Sequence, residues 1–393
     1  MGEKNGYLPF PKSFKTICIH HTKEPKRETC KETMAPIVTS NICRLESAGG
    51  PSQVIKGRLL NPTRSVLENL IAKLCKTKYA LTYASGIGAI AAVFSLLKSG
   101  DHLLCNDDIY GGTSKTLIQV CPNFGICTSF VDLTDLKSIP EYIRRNTKLI
   151  WTENPTNPTL EVMDLCGLSK VAHEHKLMLA VDNTFLSPYL QRPAELGVDL
   201  VVNSVTKYMN GHSDVIMGVV CTSRDNLYER LKFIQQHFGH IPAPFDCYQV
   251  IRSLKTLPIR MMRHMSSGIK LAQYLENHPK IEKVLNPALP SHPQHDLFKS
   301  QACGHSGMLA VYLKGTDLDT THKLIDSLKL FVHAVSLGGY ESLVQMPTLL
   351  SHRDTPDKLK KISGITDNLI RVTTGLENID DLIADWEQAL DKI

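Results

Sequence analysis

The chain has 393 residues, of which 42% are hydrophobic and 21% charged, an ordinary balance for a soluble globular protein. Its 44 Lys and Arg against 39 Asp and Glu leave +5, too dilute over this length to argue for a nucleic-acid partner. The length allows about two or three domains. Eleven cysteines without a C-x-x-C pair do not describe a secreted disulfide scaffold, so free thiols in a reducing compartment are expected. The first fifteen residues, MGEKNGYLPFPKSFK, lack an apolar h-region, so no signal peptide is expected, and Gly6 stands where a myristoylation motif needs Ser or Thr. Each Asn-Pro-Thr triplet, at Asn61, Asn154 and Asn157, has Pro where it blocks N-glycosylation. No apolar run approaches the ~18 residues of a membrane span. A cytoplasmic enzyme is the expectation, with the chemistry still open.

Residues 1–55 have no clear period and read as an N-terminal arm that packs on a neighbouring subunit. Residues 63–74 place Val66, Leu67, Leu70, Ile71 and Leu74 on one helical face. Tyr79–Tyr83 reads as a strand, and a small-residue helix from Ile87 to Leu97 follows Ser85-Gly86. Further strands are expected at Leu103–Cys105, Thr128–Val131, Leu149–Trp151, Leu177–Val181 and Leu200–Val202. The last two are almost wholly apolar, as strands buried on both faces are, which predicts a mainly parallel sheet covered by helices. Asp214–Met217, between Gly211 and Gly218, suggests an extra strand. Residues 223–275 read as long helices, and 276–393 as a smaller α+β region ending in a helix from Ile379 to Leu390. No internal repeat or low-complexity tract is evident.

Two buried strands run into reactive residues. Leu177–Val181 leads to Asp182, and Leu200–Val202 leads through Ser204 and Thr206 to Lys207. Ligands of open α/β sheets bind beyond the carboxyl ends of the strands. The separation of about 25 residues is what one β-α-β unit supplies, so Asp182 and Lys207 are expected in one crevice. A lysine and a carboxylate together suit pyridoxal 5'-phosphate: the amine condenses with its aldehyde, and the carboxylate keeps the pyridine nitrogen protonated. A phosphate needs backbone N–H groups at a helix start, offered at Ser85, Gly86 and Ile87, and hydroxyls, offered by Ser204 and Thr206. Tyr110, beside Gly111-Gly112, can stack on the ring. Each piece alone is weak; their order and spacing carry the reading.

The string Ser204-Val205-Thr206-Lys207-Tyr208-Met209-Asn210-Gly211-His212-Ser213-Asp214-Val215 resembles the lysine signature of the Cys/Met-metabolism family of pyridoxal-phosphate enzymes. Further matches follow in order: Asn61-Pro62-Thr63-Arg64, Tyr110-Gly111-Gly112-Thr113, Glu153 to Pro158, Asp182-Asn183-Thr184-Phe185, Leu254 to Leu257, Ser336-Leu337-Gly338-Gly339, and Leu369-Ile370-Arg371 with Gly375-Leu376-Glu377. The resemblance spans about residues 15 to 390, and Pro244 to Tyr248 is most similar to the γ-lyase branch. It implies the type I pyridoxal-phosphate transferase fold, an α/β domain over 56–255 with a smaller α+β C-terminal domain over 256–393. It implies Lys207 as the cofactor-linked catalytic lysine, Asp182 at the pyridine nitrogen and Tyr110 on the ring. Ser85, Gly86, Ile87, Ser204 and Thr206 would hold the phosphate, joined by Arg58 reaching from a neighbouring subunit. Arg371 would take the substrate α-carboxylate with Ser336 and Asn157. Glu153, Val335 and Lys56 complete the substrate-side set, and no metal is expected. The implied assembly is a homotetramer, a dimer of dimers with shared sites.

The chain departs from the family pattern where Lys56 stands for the usual tyrosine and Ile55 for an acidic residue. Val335 stands for the glutamate common in cystathionine-handling members, and Ser114-Lys115 for Asn-Arg. Ile55 and Val335 remove carboxylates that would receive a distal ammonium, and a site built to pair a charge loses several kcal/mol without its partner. The expected activity is γ- or β-elimination on sulfur amino acids, giving a 2-oxo acid, ammonia and a thiol, with an altered pocket. The alternatives are γ-replacement on O-activated homoserine and a catalytically impaired family member. His173-Glu174-His175 and His20-His21 read as solvated surface rather than metal ligands. Cys105, Cys127 and Cys221 read as buried thiols.

Overall fold

A computed structural model describes residues 6–21, 34–42, 56–315, 317–353 and 357–393. A seven-stranded sheet comprises β1 (Tyr79–Tyr83), β2 (His102–Asn106), β3 (Cys127–Val131), β4 (Thr147–Glu153), β5 (Met178–Asp182), β6 (Leu200–Ser204) and β7 (Gly218–Thr222). Their spatial order is β1-β7-β6-β5-β4-β2-β3, and only β7 runs antiparallel to its neighbours.

Alternation along these strands feeds two cores. Leu104, Ile150, Leu179, Val181, Val201, Val219 and Cys221 face the helices Pro62–Leu74, Leu165–Glu174 and Pro244–Leu254. Leu103, Cys105, Leu149, Trp151, Ala180, Leu200, Val202 and Val220 face Gly86–Phe94 and Asp225–Phe238. Apolar residues at both parities are what a strand covered on both faces requires, and this is why the runs lack a polar side.

The second sheet contains β8 (Ile281–Leu285), β9 (Met308–Leu313), β10 (Val332–His333), β11 (Leu343–Gln345) and β12 (Leu369–Thr373), in the order β10-β11-β12-β9-β8. One face, with Leu309, Val311, Leu313, Ile370 and Val372, packs on Leu257–Glu276, Leu318–Ser327 and the final helix Ile379–Leu390. The other, with Met308, Ala310, Tyr312 and Leu369, joins the core of the larger sheet. Arg371 has the parity of Leu369, so the strand itself turns it toward the larger sheet.

Two expectations need correction. The strand placed at Asp214–Met217 is instead Gly218–Thr222. Cys127 is exposed, because it opens the edge strand β3, whereas Cys105 and Cys221 are buried as expected. The Asn-Pro-Thr-Arg motif is structural in this chain: Asn61 Oδ1 accepts from Arg64 N at 3.0 Å, and Thr63 Oγ1 donates to Pro36 O at 2.8 Å. It caps the helix Pro62–Leu74 and ties the N-terminal segment to it. Ile55 and most of the proposed arm lie outside the described residues.

Candidate active site

The carboxyl ends of β4, β5 and β6, the start of the helix Gly86–Phe94 and the loop before β11 surround a cavity of about 470 Å³. That size lies within the usual range for a small-molecule site. Asp182, Lys207, Ser85, Gly86, Ile87, Ser204, Thr206, Tyr110, Glu153, Asn157, Val335, Ser336 and Arg371 all line it.

One end offers the kind of donors a phosphate needs. Ser85 caps the helix Gly86–Phe94, its Oγ accepting from Gly88 N at 2.9 Å, and the N–H groups at Gly86 and Ile87 lie at the helix start. A Cβ at Gly86 would stand 2.9 Å from Ser204 Oγ, so glycine lets that hydroxyl approach the helix start. Gly218 is needed for a similar reason: a Cβ there would meet Ser85 O at 2.3 Å. Thr206 Oγ1 donates to Met217 O at 3.2 Å and is 3.0 Å from Met217 N, which fixes its hydroxyl at the wall.

The middle of the cavity opposes carboxylates to an amine. Register places Glu153 directly beside Asp182. Burial pushes the Asp182 carboxyl up to about 6, while its contacts with Thr184, including Thr184 N at 2.9 Å, pull it down. Burial, then the neighbouring Asp182, holds Glu153 well above the usual carboxylate range. Glu153 Oε1 accepts from Tyr110 N at 2.9 Å. The Tyr110 ring crosses Gly112, where a Cβ would be 2.4 Å from Cε1. On the opposite wall Lys207 Nζ donates to Ser336 Oγ at 2.6 Å, and burial, helped by the Arg371 charge, lowers the amine from 10.5 to about 8.

Ser336 has φ 99°, a strained conformation for a residue with a Cβ. That turn sends its hydroxyl to Lys207 and its carbonyl to Arg371, whose Nη2 donates to Ser336 O at 2.7 Å. Arg371 Nη1 donates to Asn157 Oδ1 at 3.1 Å. With the Gln345 amide oxygen turned inward, it lies 3.0 Å from all three guanidinium nitrogens, over the face of the group. These partners are neutral, so Arg371, though only 5% exposed, keeps a charge for an incoming anion.

The donor set fits pyridoxal phosphate. A helix start opened by glycine can receive the phosphate, a buried carboxylate the pyridine nitrogen, and a depressed amine the aldehyde. Lys56 and Arg58, by contrast, do not line this cavity; the Arg58 guanidinium donates to Gln236 O at 2.8 Å. Sequence reasoning missed Thr184, Gln345, Ser351, Ile216 and Leu350, all of which line the cavity. Thr184 lies inside a motif already noted; the others become visible only once the strands are in register. His173 Nε2 lies 3.1 Å from Asp199 Oδ2, and His175 Nδ1 donates to Val171 O at 3.0 Å, so each ring already has a local partner.

The family model for Cys/Met metabolism PLP-dependent enzymes matches residues 15–391. The cystathionine γ-lyase of Rattus norvegicus is 45% identical over 98% of this chain and 97% of its own length. That of Homo sapiens is 45% identical over 98% and 95%. The solved cystathionine γ-lyase of Lactobacillus plantarum, complexed with L-serine, superposes with a TM-score of 0.93 at 37% identity, covering 97% of this chain and 99% of that one.

Proposed function

The chain belongs to the Cys/Met metabolism family of PLP-dependent enzymes, and from that premise we propose that it is a carbon–sulfur lyase that eliminates a thiol from sulfur amino acids. The observation that carries this reading is one cavity holding both the depressed Lys207 amine and the Arg371 guanidinium with neutral partners. Bound pyridoxal phosphate supplies an aldehyde for amines and a ring that takes up electrons. Arg371, set by Asn157 and Ser336, grips the substrate α-carboxylate in a two-point fork and fixes the Cα–H direction. Lys207 Nζ, with an amine near 8, then takes the Cα proton close to neutrality, and Ser336 Oγ holds Nζ in place. Loss of the thiol and hydrolysis leave a 2-oxo acid and ammonia.

Val335, 58% exposed on the cavity wall, stands where a carboxylate would receive a distal ammonium. An apolar residue there suits an uncharged tail, so substrates smaller than cystathionine, or O-substituted homoserines, are favoured. Arg58 does not line its own cavity and is bonded to Gln236 O instead, which supports its service to a neighbour's site and a homotetramer with shared sites. No helix among the described residues is long and apolar enough to cross a membrane, and we assign the enzyme to the cytoplasm. We divide the chain into an arm (1–55), a cofactor domain (56–255) and a C-terminal domain (256–393).

The test is a panel of cystathionine, methionine, cysteine and homoserine esters assayed for ammonia, 2-oxo acid and thiol. Ammonia with oxo acid is the expected result; a new thioether, formed only when a thiol is supplied, would mark a transferase instead. A strong kcat/KM preference for cystathionine would overturn the substrate assignment.

A further inference from the structure

We propose that Gln345, Ser351 and His352 form a positioning relay that couples the grip of Arg371 on a carboxylate to the seat of the Tyr110 ring. The inference rests on the lyase reading above. It begins in the register of β11 and β12, which sets Gln345 directly opposite Arg371. Gln345 is buried, and its amide oxygen rests over the guanidinium face, 3.0 Å from all three nitrogens, without cancelling their charge. A carboxylate in its place would pair with Arg371 and compete with the substrate.

Ser351 Oγ lies 3.0 Å from the same amide oxygen and 2.9 Å from His352 Nδ1, so its single proton serves one of the two at a time. His352 is 2% exposed, and burial lowers its ring to about 4, leaving it neutral at pH 7. Its Nε2–H donates to Ile109 O at 3.0 Å. Ile109 immediately precedes Tyr110. On the far side of that tyrosine, a Cβ at Gly111 would stand 2.0 Å from Ser351 O. Residues 351 and 352 therefore bond the backbone just before Tyr110 and pack closely on it just after, while Glu153 holds the Tyr110 N–H from the larger sheet. The chain Arg371–Gln345–Ser351–His352–Ile109 leads from the carboxylate grip to the ring-bearing turn, with the Ser351 proton closing either its Gln345 link or its His352 link. It joins the two sheets through polar contacts alone.

The holoenzyme tests this directly. L-alanine and L-alaninamide have no leaving group and differ in whether they carry a carboxylate. Each is titrated against the visible absorbance of the bound cofactor, and the visible circular dichroism reports the asymmetry of the ring's surroundings. Ser351→Ala is expected to weaken L-alanine by about tenfold and L-alaninamide by less than about twofold, with a reduced dichroism. His352→Gln, whose amide N–H can replace Nε2–H, is expected to keep the dichroism that His352→Leu loses. Equal weakening of both ligands, or an unchanged dichroism in Ser351→Ala, would overturn the relay. If His352→Leu does not fold, Ser351→Ala decides the matter alone. Alanine binding is read whether or not the enzyme eliminates a thiol, so failure of the lyase reading shows separately, in wild-type product analysis.

Discussion

Replacing Lys207 with Met is expected to stabilise the cofactor-free protein at pH 7. Burial, then the Arg371 charge, lowers the amine from 10.5 to about 8. At about 1.4 kcal/mol for each tenfold in proton affinity, that is roughly 3 kcal/mol against the charged amine in the folded chain. Losing the Nζ–Ser336 Oγ bond offsets about 1 kcal/mol, which leaves a net gain of about 2 kcal/mol for Lys207→Met. The folded amine has the lower pKa, so the unfolded chain binds more protons between pH 8 and 10.5. The wild-type penalty is therefore full below about pH 8, shrinks through that window and is absent above it. Urea unfolding of the two cofactor-free proteins at pH 7 and pH 10.5, compared at equal m, measures the difference. A destabilised variant at pH 7, or a gain independent of pH, would refute the electrostatic origin of the depressed amine. The base role assigned to Lys207 would then lose its physical ground.

Asp182→Asn should weaken cofactor retention on dialysis by about tenfold or more, since the ion pair proposed to the ring nitrogen would be lost. The same substitution should slightly stabilise the cofactor-free protein at pH 7, because burial raises this carboxyl to about 6 and penalises its charge at any higher pH. Gly218→Ala drives a methyl against Ser85 O, with Gly86 Cα only 2.8 Å away, so it should displace the phosphate loop at a cost of about 1–3 kcal/mol. Cofactor content and melting temperature check it, and a normally loaded, equally stable variant would contradict the close approach. Val335→Glu should raise kcat/KM for cystathionine relative to methionine by about tenfold, a ratio that competition assays read directly.

Much of the fold was legible because burial on both sheet faces writes itself as continuous apolar runs, as in Leu177–Val181 and Leu200–Val202. β7 was misplaced because Gly218 reads as a breaker, whereas it opens the strand: only a residue without a Cβ passes Ser85 O. Asp182 and Lys207 were legible as residues at or just beyond strand ends, and Arg371 through a motif in a recognisable order. Gln345 was not, because its role exists only opposite Arg371, and register is a tertiary property. Nor was the strain at Ser336, since nothing in Val-Ser-Leu-Gly-Gly says which residue takes the positive φ. Lys56 and Arg58 were legible as motif positions only; neither lines this chain's own cavity.

The two adjacent carboxylates divide their labour through their hydrogen bonds. Glu153 and Asp182 stand side by side on β4 and β5, so ionising both in a buried site is costly. Their surroundings differ in which form they stabilise. Asp182 gains both backbone and side-chain contacts from Thr184, each of which favours its anion. Glu153 is held up first by burial and then by Asp182 as a like charge, and both effects favour its protonated form. A protonated Glu153 can still accept from Tyr110 N and hold the ring-bearing turn. The anion is then left to Asp182 alone, where a protonated pyridine nitrogen would need it. On the other side of the cavity burial, helped by the Arg371 charge, lowers the Lys207 amine, and neutral Asn157, Ser336 and Gln345 keep that charge available. One carboxylate is biased toward its neutral form and one guanidinium is left among neutral partners. Both follow from which neutral groups the strand register brings alongside, so the electrostatics of the site is a consequence of sheet topology rather than of charge count.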